Sequence, residues 1–260
     1  MSHTVTAIPA LNDNYIWLVV HNRSKKTVII DPGESLPILS IVKKLSLTPV
    51  AILITHHHWD HTNGITEIVA QYNIPVFGPA NDSVKPCNYL LKEDDKVKLP
   101  DLELELSVLD VPGHTIGHVV YHSPIHRWIF TGDTLFTGGC GRLFEGRIEQ
   151  LYYSLEKLAA LDPRTKIYCG HEYTLKNLYF ALTVEPNNLD IKRRLADVKA
   201  RLAKKLPTVP STIALEKLTN PFLRCEENSI RESVKKIHYK KTLNNPIAVL
   251  EALRVWKDQF

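Results

Sequence analysis

No apolar run in this chain approaches the roughly 20 residues that a membrane-spanning helix needs, so a bilayer protein is not expected. The opening Met1-Ser2-His3-Thr4 has no basic segment followed by an apolar stretch, hence no visible secretory leader, and a cytoplasmic location is expected. Cysteine is sparse. Cys87, Cys140, Cys169 and Cys225 form no C-x-x-C pair, which argues against a disulfide framework and for reduced thiols. Cys140 and Cys169 fall near the chemistry-bearing motifs below, but buried structural cysteines are the expectation. Charge is nearly balanced. A net +4 is too small to argue for nucleic acid, although it suits an anionic small molecule as well as an ordinary solvated surface. Fixed-period repeats and low-complexity segments are also missing. So are a G-x-S-x-G elbow, a phosphate-binding G-x-x-x-x-G-K-[ST] loop and a G-x-G-x-x-G turn after a strand, which removes the commonest alternative catalytic systems.

Hydrophobic residues at 44% and charged residues at 23% of 260 positions allow one large domain, or a medium domain and a small one. Strands are expected at Trp17–Val20, Thr27–Ile30, Val50–Ile54, Val76–Gly78, Leu102–Leu109, Val119–Tyr121, Trp128–Phe130 and Lys166–Tyr168. Helices are expected at Pro37–Lys44, Thr66–Tyr72 and Glu149–Ala159. From about Tyr173 the pattern turns helical. Ile191, Leu195, Val198, Leu202 and Leu206 form one apolar face, and Lys192, Arg193, Arg194, Lys199, Arg201, Lys204 and Lys205 are expected on a solvated face. Asn245-Pro246 reads as a cap and first residue of a last helix running to about Lys257.

Four times an apolar strand runs into a metal-ligand type of residue: His56 after Val50–Ile54, His114 after Leu104–Leu109, Asp133 after Trp128–Phe130, and His171 after Lys166–Tyr168. In three of these a glycine directly precedes the ligand and permits a sharp turn. The densest signal is Thr55-His56-His57-His58-Trp59-Asp60-His61. Neutral imidazoles crowded this closely suit zinc, iron or manganese. By alternation His56 and His58 point one way and His57 the other, in a structural role. Asp60 and His61 fall where the chain turns into a helix. A lone histidine is more often a hydrogen-bonded core residue, so His114, Asp133 and His171 gain weight only together with this segment. The seven suffice for two metal ions, one carboxylate bridging, which would lower the pKa of a shared water to about 7. His118 is a candidate partner for a ligand. His3, His21, His122, His126 and His238 are expected to be ordinary surface or core residues.

The T-H-x-H-x-D-H segment, with Pro112-Gly113-His114-Thr115, Thr131-Gly132-Asp133-Thr134 and Gly170-His171-Glu172-Tyr173, resembles the metallo-β-lactamase superfamily. The resemblance implies a four-layered αββα sandwich in residues 1–172 and a small C-terminal α-helical substrate-binding domain in residues 173–260. It assigns His56, His58 and His114 to one metal and Asp60, His61 and His171 to the other, with Asp133 on both. It places Asp60 and Asp133 beside the attacking hydroxide.

Further motifs are similar to one branch of that superfamily, the hydroxyacylglutathione hydrolases (glyoxalase II). They are Pro9-Ala10-Leu11 with Asp13-Asn14-Tyr15, Phe130 to Phe136, Gly139-Cys140-Gly141-Arg142, Tyr168 to Thr174, Pro207 to Thr212, Asn220-Pro221-Phe222 and Lys257-Asp258-Gln259-Phe260. This implies hydrolysis of S-D-lactoylglutathione to glutathione and D-lactate with two divalent ions, zinc expected and iron or manganese allowed; a monomer is the default expectation, and the charge and the lack of long apolar runs lead us to expect no nucleic-acid or membrane partner. The implied substrate contacts are Arg142, Phe144, Tyr173, Arg254 and Lys257, the last two on a terminal helix expected to be exposed. Arg142 stands where other members have Lys and keeps the charge; Phe144 stands where others have Tyr and lacks the hydroxyl. The alternatives are a different thioesterase or a persulfide dioxygenase of the same fold, against which the retained Asp60 and His61 favour two-metal hydrolysis.

Overall fold

The computed structural model describes residues 2–237, 243 and 245–260. His238 lies outside the described residues. Contacts divide the chain into two units, the first comprising Met1–Asp110 with Thr115–Gly132, the second Val111–His114 with Asp133–Phe260.

The first unit carries β1 (His3–Ala10), β2 (Asn14–His21), β3 (Lys26–Ile30), α1 (Leu36–Leu45), β4 (Thr48–Leu53), α2 (Trp59–Thr62), α3 (Ile65–Tyr72), β5 (Val76–Pro79), β6 (Tyr89–Leu91), β7 (Lys96–Leu99), β8 (Leu104–Asp110), β9 (Val119–Ser123) and β10 (Trp128–Gly132). Strands β1 to β6 form one sheet in chain order, antiparallel through β3 and parallel from there. Strands β7 to β10 form an antiparallel meander. All eight residues of β2 are buried, including the near-continuous apolar run Ile16–Val20, as a strand covered on both faces requires. One cover is α1 and α3, whose Ile38, Val42, Ile65 and Ile68 pack with Ile16, Leu18, Ile29 and Ile52. On β9, fully buried Tyr121 donates its hydroxyl to the Ile54 carbonyl at 2.7 Å.

The expected strands and helices of this unit are present. The strand expected from Leu102 begins at Leu104, because Pro100–Leu102 forms a 3₁₀ turn and Glu103 takes a positive φ of 52°. Strands β1, β6 and β7 were not expected.

The second unit carries the hairpin β11 (Leu135–Phe136) and β12 (Gly139–Cys140), α4 (Ile148–Ala159), β13 (Lys166–Cys169), α5 (Thr174–Val184), α6 (Leu189–Ala203), β14 (Ser211–Thr212), α7 (Ile213–Thr219), α8 (Asn228–Ile237) and α9 (Pro246–Asp258). β13 pairs antiparallel with the two-residue β14. Helices α5 and α6 join through Leu178, Ala181, Ile191, Leu195 and Val198. Helix α6 is capped by the Asn188 side chain, which accepts from the Asp190 and Ile191 amides. It stops at Ala203, so Leu206, counted on its apolar face, lies beyond it and is exposed. Arg194 corrects the solvated-face reading: it is 7% exposed. As expected, Asn245 caps α9, accepting from the Ala248 amide at 2.9 Å with Pro246 at the first position. Among the described residues no helix is long and apolar enough to cross a membrane.

Candidate metal centre

In the first unit the donors meet because β3 and β4 run parallel and end side by side, Ile30 opposite Leu53. The residues just past these ends are Asp31 and Ile54-Thr55. The Thr55 amide donates to Asp31 Oδ1 at 2.8 Å and its hydroxyl to Oδ2 at 2.7 Å. Having spent its proton on Asp31, the Thr55 hydroxyl accepts from His56 Nδ1 at 3.0 Å. His56 Nε2 is thereby left with a lone pair, 3.1 Å from His58 Nδ1. Asp31 Oδ2 also lies 3.1 Å from His61 Nδ1, which fixes that proton and leaves the His61 Nε2 lone pair 3.6 Å from Asp60 Oδ2. A carboxylate that fixes a histidine tautomer from behind is the usual support of a metal-binding imidazole. Asp31, His56 and His61 have ligand atoms close enough for one ion.

His57 points away, as expected. Its Nδ1 lies 3.1 Å from Asp82 Oδ2, and its amide donates to the same oxygen at 3.2 Å. Asp82 also accepts from the Thr115 hydroxyl and the Gly117 amide, both at 2.9 Å, tying the histidine segment to the residues after His114. Asp60 is held by Asn14, whose amide donates to Oδ2 at 3.0 Å and to the Asp60 carbonyl at 3.2 Å. His118 stacks on His56 at 4.6 Å. Gly132 closes this unit at φ 47°, and a Cβ there would lie 2.3 Å from Thr55 Oγ1 and 2.8 Å from His118 Nε2. Only glycine fits.

In the second unit the centre is Asp133, which is 6% exposed. Its Oδ2 lies 3.2 Å from His171 Nε2 and 3.6 Å from His114 Nε2. His114 Nδ1 donates to the Arg142 carbonyl at 2.8 Å, so in neutral His114 the Nε2 facing the carboxylate is again a lone pair. A lone pair aimed at an anionic oxygen is unfavourable unless a cation lies between or the ring is protonated. Gly141 allows the close approach: a Cβ there would meet the Asp133 carbonyl at 2.0 Å and His114 Nδ1 at 3.1 Å. The imidazole and carboxylate donors of both units thus suit divalent metal ions.

The other expected contacts all lie in the second unit. Tyr173 stacks parallel on His171 at 4.7 Å, and exposed Phe144 meets His114 edge-on at 5.3 Å. Arg142 is half exposed and donates from Nε to Asp258 Oδ1 at 3.1 Å. Lys257 projects beside the Phe180 and Phe260 rings, 5.1 and 5.2 Å from their centroids.

Arg254 requires a correction. It was expected on an exposed helix, but it is 7% exposed. Its Nη1 donates to the Cys140 carbonyl at 3.0 Å, and its Nε and Nη2 donate to Asp258 at 3.2 and 2.8 Å. Helix α9 buries the stripe Val249, Leu250, Leu253 and Arg254, so this arginine shares the apolar face. Arg254→Ala should therefore cost about 3 kcal/mol of stability by stranding buried groups. Lys257→Ala should cost less than about 1 kcal/mol. Urea unfolding of the two variants checks the difference.

Cys140, Cys169 and Cys225 are buried, and Cys87 is partly buried. Burial raises the Cys140 thiol, opposed only in part by Arg254, and pushes Cys169 up to about 12.

Residues 11–171 match the model of the metallo-beta-lactamase superfamily. Residues 172–260 match the model described as hydroxyacylglutathione hydrolase C-terminus. Hydroxyacylglutathione hydrolase of Nitrosomonas eutropha is 46% identical over 98% of both chains. That of Alkalilimnicola ehrlichii is 49% identical over 98% of both. Among solved structures, ETHE1 from Myxococcus xanthus superposes with a TM-score of 0.66 at 25% identity, covering 99% of this chain and 98% of that one. A protein crystallised in a di-iron-bound form gives a TM-score of 0.59 at 26% identity, covering 85% of this chain and all of that one. The chain belongs to the hydroxyacylglutathione hydrolase family, a metallo-β-lactamase domain followed by that family's helical C-terminal domain. A superfamily fold with these His and Asp clusters suits a dimetal centre.

Sequence reasoning missed Asp31, Asp82 and Asn14. Only Asn14 carried a signal, as part of Asp13-Asn14-Tyr15. Asp31-Pro32-Gly33 reads as a turn until its neighbour in the sheet is known.

Proposed function

We propose that this chain hydrolyses S-D-lactoylglutathione and related S-2-hydroxyacylglutathiones to glutathione and the 2-hydroxy acid, the second step of methylglyoxal detoxification. The observation that carries the reading is the match through the C-terminal helices, residues 172–260, beyond the superfamily domain that many chemistries share. The alternative thioesterase or persulfide dioxygenase is not favoured, since relatives at 42–49% identity over nearly the whole chain bear the hydrolase name.

His56, His58, His114 and Asp133 would hold one ion, and Asp60, His61, His171 and Asp133 the other, zinc being the expected metal. Bound there, the pair would supply Lewis acidity toward the thioester carbonyl and a water acidified to a pKa of about 7. Asp31 keeps its proton-accepting side toward His61 and Thr55, so both imidazoles behind it stay in the ligating tautomer. The Arg142 carbonyl does the same for His114. Asp60 and Asp133 would act as metal-holding carboxylates beside the attacking water. Attack on the carbonyl carbon breaks the C–S bond, and glutathione departs as a thiolate, which leaves without a protein acid. Residues 1–172 would carry this chemistry and 173–260 the recognition of glutathione.

Arg142 and Lys257 offer cationic contacts to the glutathione carboxylates. Tyr173 offers a phenol to its peptide part, and Phe144 an apolar face. Arg254 aligns Asp258, and through it Arg142.

A pH signature follows. Burial, with Arg254 and Lys176 adding like charge, lowers Lys257 to about 8 from its ordinary 10.5. Lys257 is cationic below that value and neutral above it, so KM for the anionic thioester should rise severalfold between pH 7 and 9. Lys257→Arg should flatten the rise, because guanidinium stays charged. The stability sign runs the other way: the unfolded chain binds the extra proton between about 8 and 10.5, so this residue favours folding more as pH rises through that window. Steady-state kinetics from pH 7 to 9 on both proteins decide the matter.

The direct test is hydrolysis of S-D-lactoylglutathione, followed by loss of the thioester and release of free thiol, with elemental analysis of the same preparation. Metal-dependent turnover is expected. A metal-loaded protein that leaves the thioester intact overturns the substrate assignment.

A further inference from the structure

Glu216, on α7, is fully buried and lies far along the chain from every expected ligand. Its Oε1 accepts from the Arg194 guanidinium and the Ser211 hydroxyl. Its Oε2 accepts the Gly138 amide at 2.7 Å and the Asn220 side-chain amide at 3.0 Å. Arg194, on α6, is 7% exposed and also donates to Thr219 and to Ser211. Removing two opposite charges from water is costly, and an apolar pair of the same size is often as stable or more so. The stability of α6 and α7 alone therefore does not account for an ion pair here.

What the carboxylate grips is the tip of the β11–β12 hairpin. Gly138, at φ 71°, gives its amide to Glu216. Asn220 adds bonds to the Gly139 and Phe136 carbonyls at 2.9 and 3.3 Å, and Asn177 to the Thr137 carbonyl at 3.1 Å. On either side of the tip the hairpin touches the candidate ligands. Phe136 packs edge-on against His171 at 5.9 Å and Tyr173 at 5.2 Å. The Cys140 carbonyl holds Arg254. The Gly141 amide donates to the Thr134 carbonyl at 3.1 Å, and Gly141 lies directly against Asp133 and His114.

We propose that Glu216, charged and held by Arg194, is a positioning residue for the reaction: it locks the Gly138 amide so that the hairpin fixes Asp133, His171 and Tyr173. The inference rests on the hydrolase reading for its kinetic consequence, but the lock itself does not. A neutral oxygen at this position can still accept from Gly138, whereas a methyl thioether is only a weak acceptor. Geometry off by an ångström at a site like this costs on the order of a hundredfold in rate.

Two double variants separate positioning from structure. Arg194→Met with Glu216→Met removes both charges and the acceptor. Arg194→Met with Glu216→Gln removes both charges and keeps an acceptor. Both should fold, with melting temperatures within about 5 °C of each other. The expected result is faster hydrogen exchange across residues 134–141 in the Met/Met protein than in the Met/Gln protein. Its kcat on S-D-lactoylglutathione should be at least about tenfold lower at similar KM. Equal exchange in the two variants, or faster exchange with unchanged kcat, overturns the proposal. If the wild-type enzyme does not hydrolyse the thioester, the substrate assignment falls, and metal retained after gel filtration replaces kcat. Weaker retention by the Met/Met protein then supports the lock, and equal retention overturns it.

Discussion

Replacing Asp133 by Asn should lower kcat/KM by about a thousandfold while leaving the metal-free fold intact. The reason lies in what surrounds Oδ2. The His171 and His114 Nε2 atoms approach it at 3.2 and 3.6 Å, and the His114 ring is held by the Arg142 carbonyl so that a lone pair faces inward. With cations present, the carboxylate would supply negative charge to bind them. Without cations, it leaves an anion opposed to a lone pair. An Asn amide reverses the balance, since its N–H₂ can donate to an imidazole nitrogen and carries no charge. Metal-loaded wild type should therefore melt above metal-loaded Asp133→Asn, whereas after chelation the variant should melt at or above the wild type. Calorimetry in both states, beside thioester kinetics, tests this. Retained activity would remove Asp133 from the centre.

Asp31→Asn should weaken metal binding about 10- to 100-fold. Asp31 touches no expected substrate contact. It accepts from the Thr55 amide and hydroxyl and lies 3.1 Å from His61 Nδ1. Asparagine keeps one acceptor for these three donors and turns a donor toward one of them. Thr55 and His61 then compete, and His61 is free to adopt the tautomer that hides its lone pair from a cation. Asp31→Ala should also cost stability, about 1–3 kcal/mol for each buried donor it strands, so the Asn variant is the cleaner probe. Competition with a chromophoric chelator measures the effect, and affinity within twofold of wild type would refute it.

The central strands and the principal helices were legible because each rests on local pattern, and the seven candidate ligands stood out in the sequence for the same reason. Apolar runs mark covered strands, and a strand end followed by glycine and histidine marks a turn into a site. The unexpected strands are those at sheet margins. β1 ends in Pro9-Ala10, β7 alternates lysine with Val97 and Leu99, and β6 exposes Tyr89 and Leu90. Marginal strands commonly carry proline, charge or short length, which blurs the pattern that betrays an interior strand. Arg194 and Arg254 were misplaced for a related reason. Helical periodicity shows which positions face inward but not that a guanidinium at one of them will find Glu216 or Asp258. Glu216 lies on α7, and Arg254, besides its i,i+4 partner Asp258 on α9, is held by the Cys140 carbonyl 114 positions away. Asp31 and Asp82 were hidden likewise, because each is defined by donors 24 to 35 positions away.

The first unit is not one continuous stretch of chain, since it takes in residues 1–110 and then 115–132. A nascent chain that has reached Asp110 therefore lacks β9 and β10. The Thr55 and Ile54 carbonyls still await Val119 and Tyr121, and Asp82 still awaits Thr115 and Gly117. The bonds that steady the histidine segment can therefore form only after residues 115–121 have been synthesised.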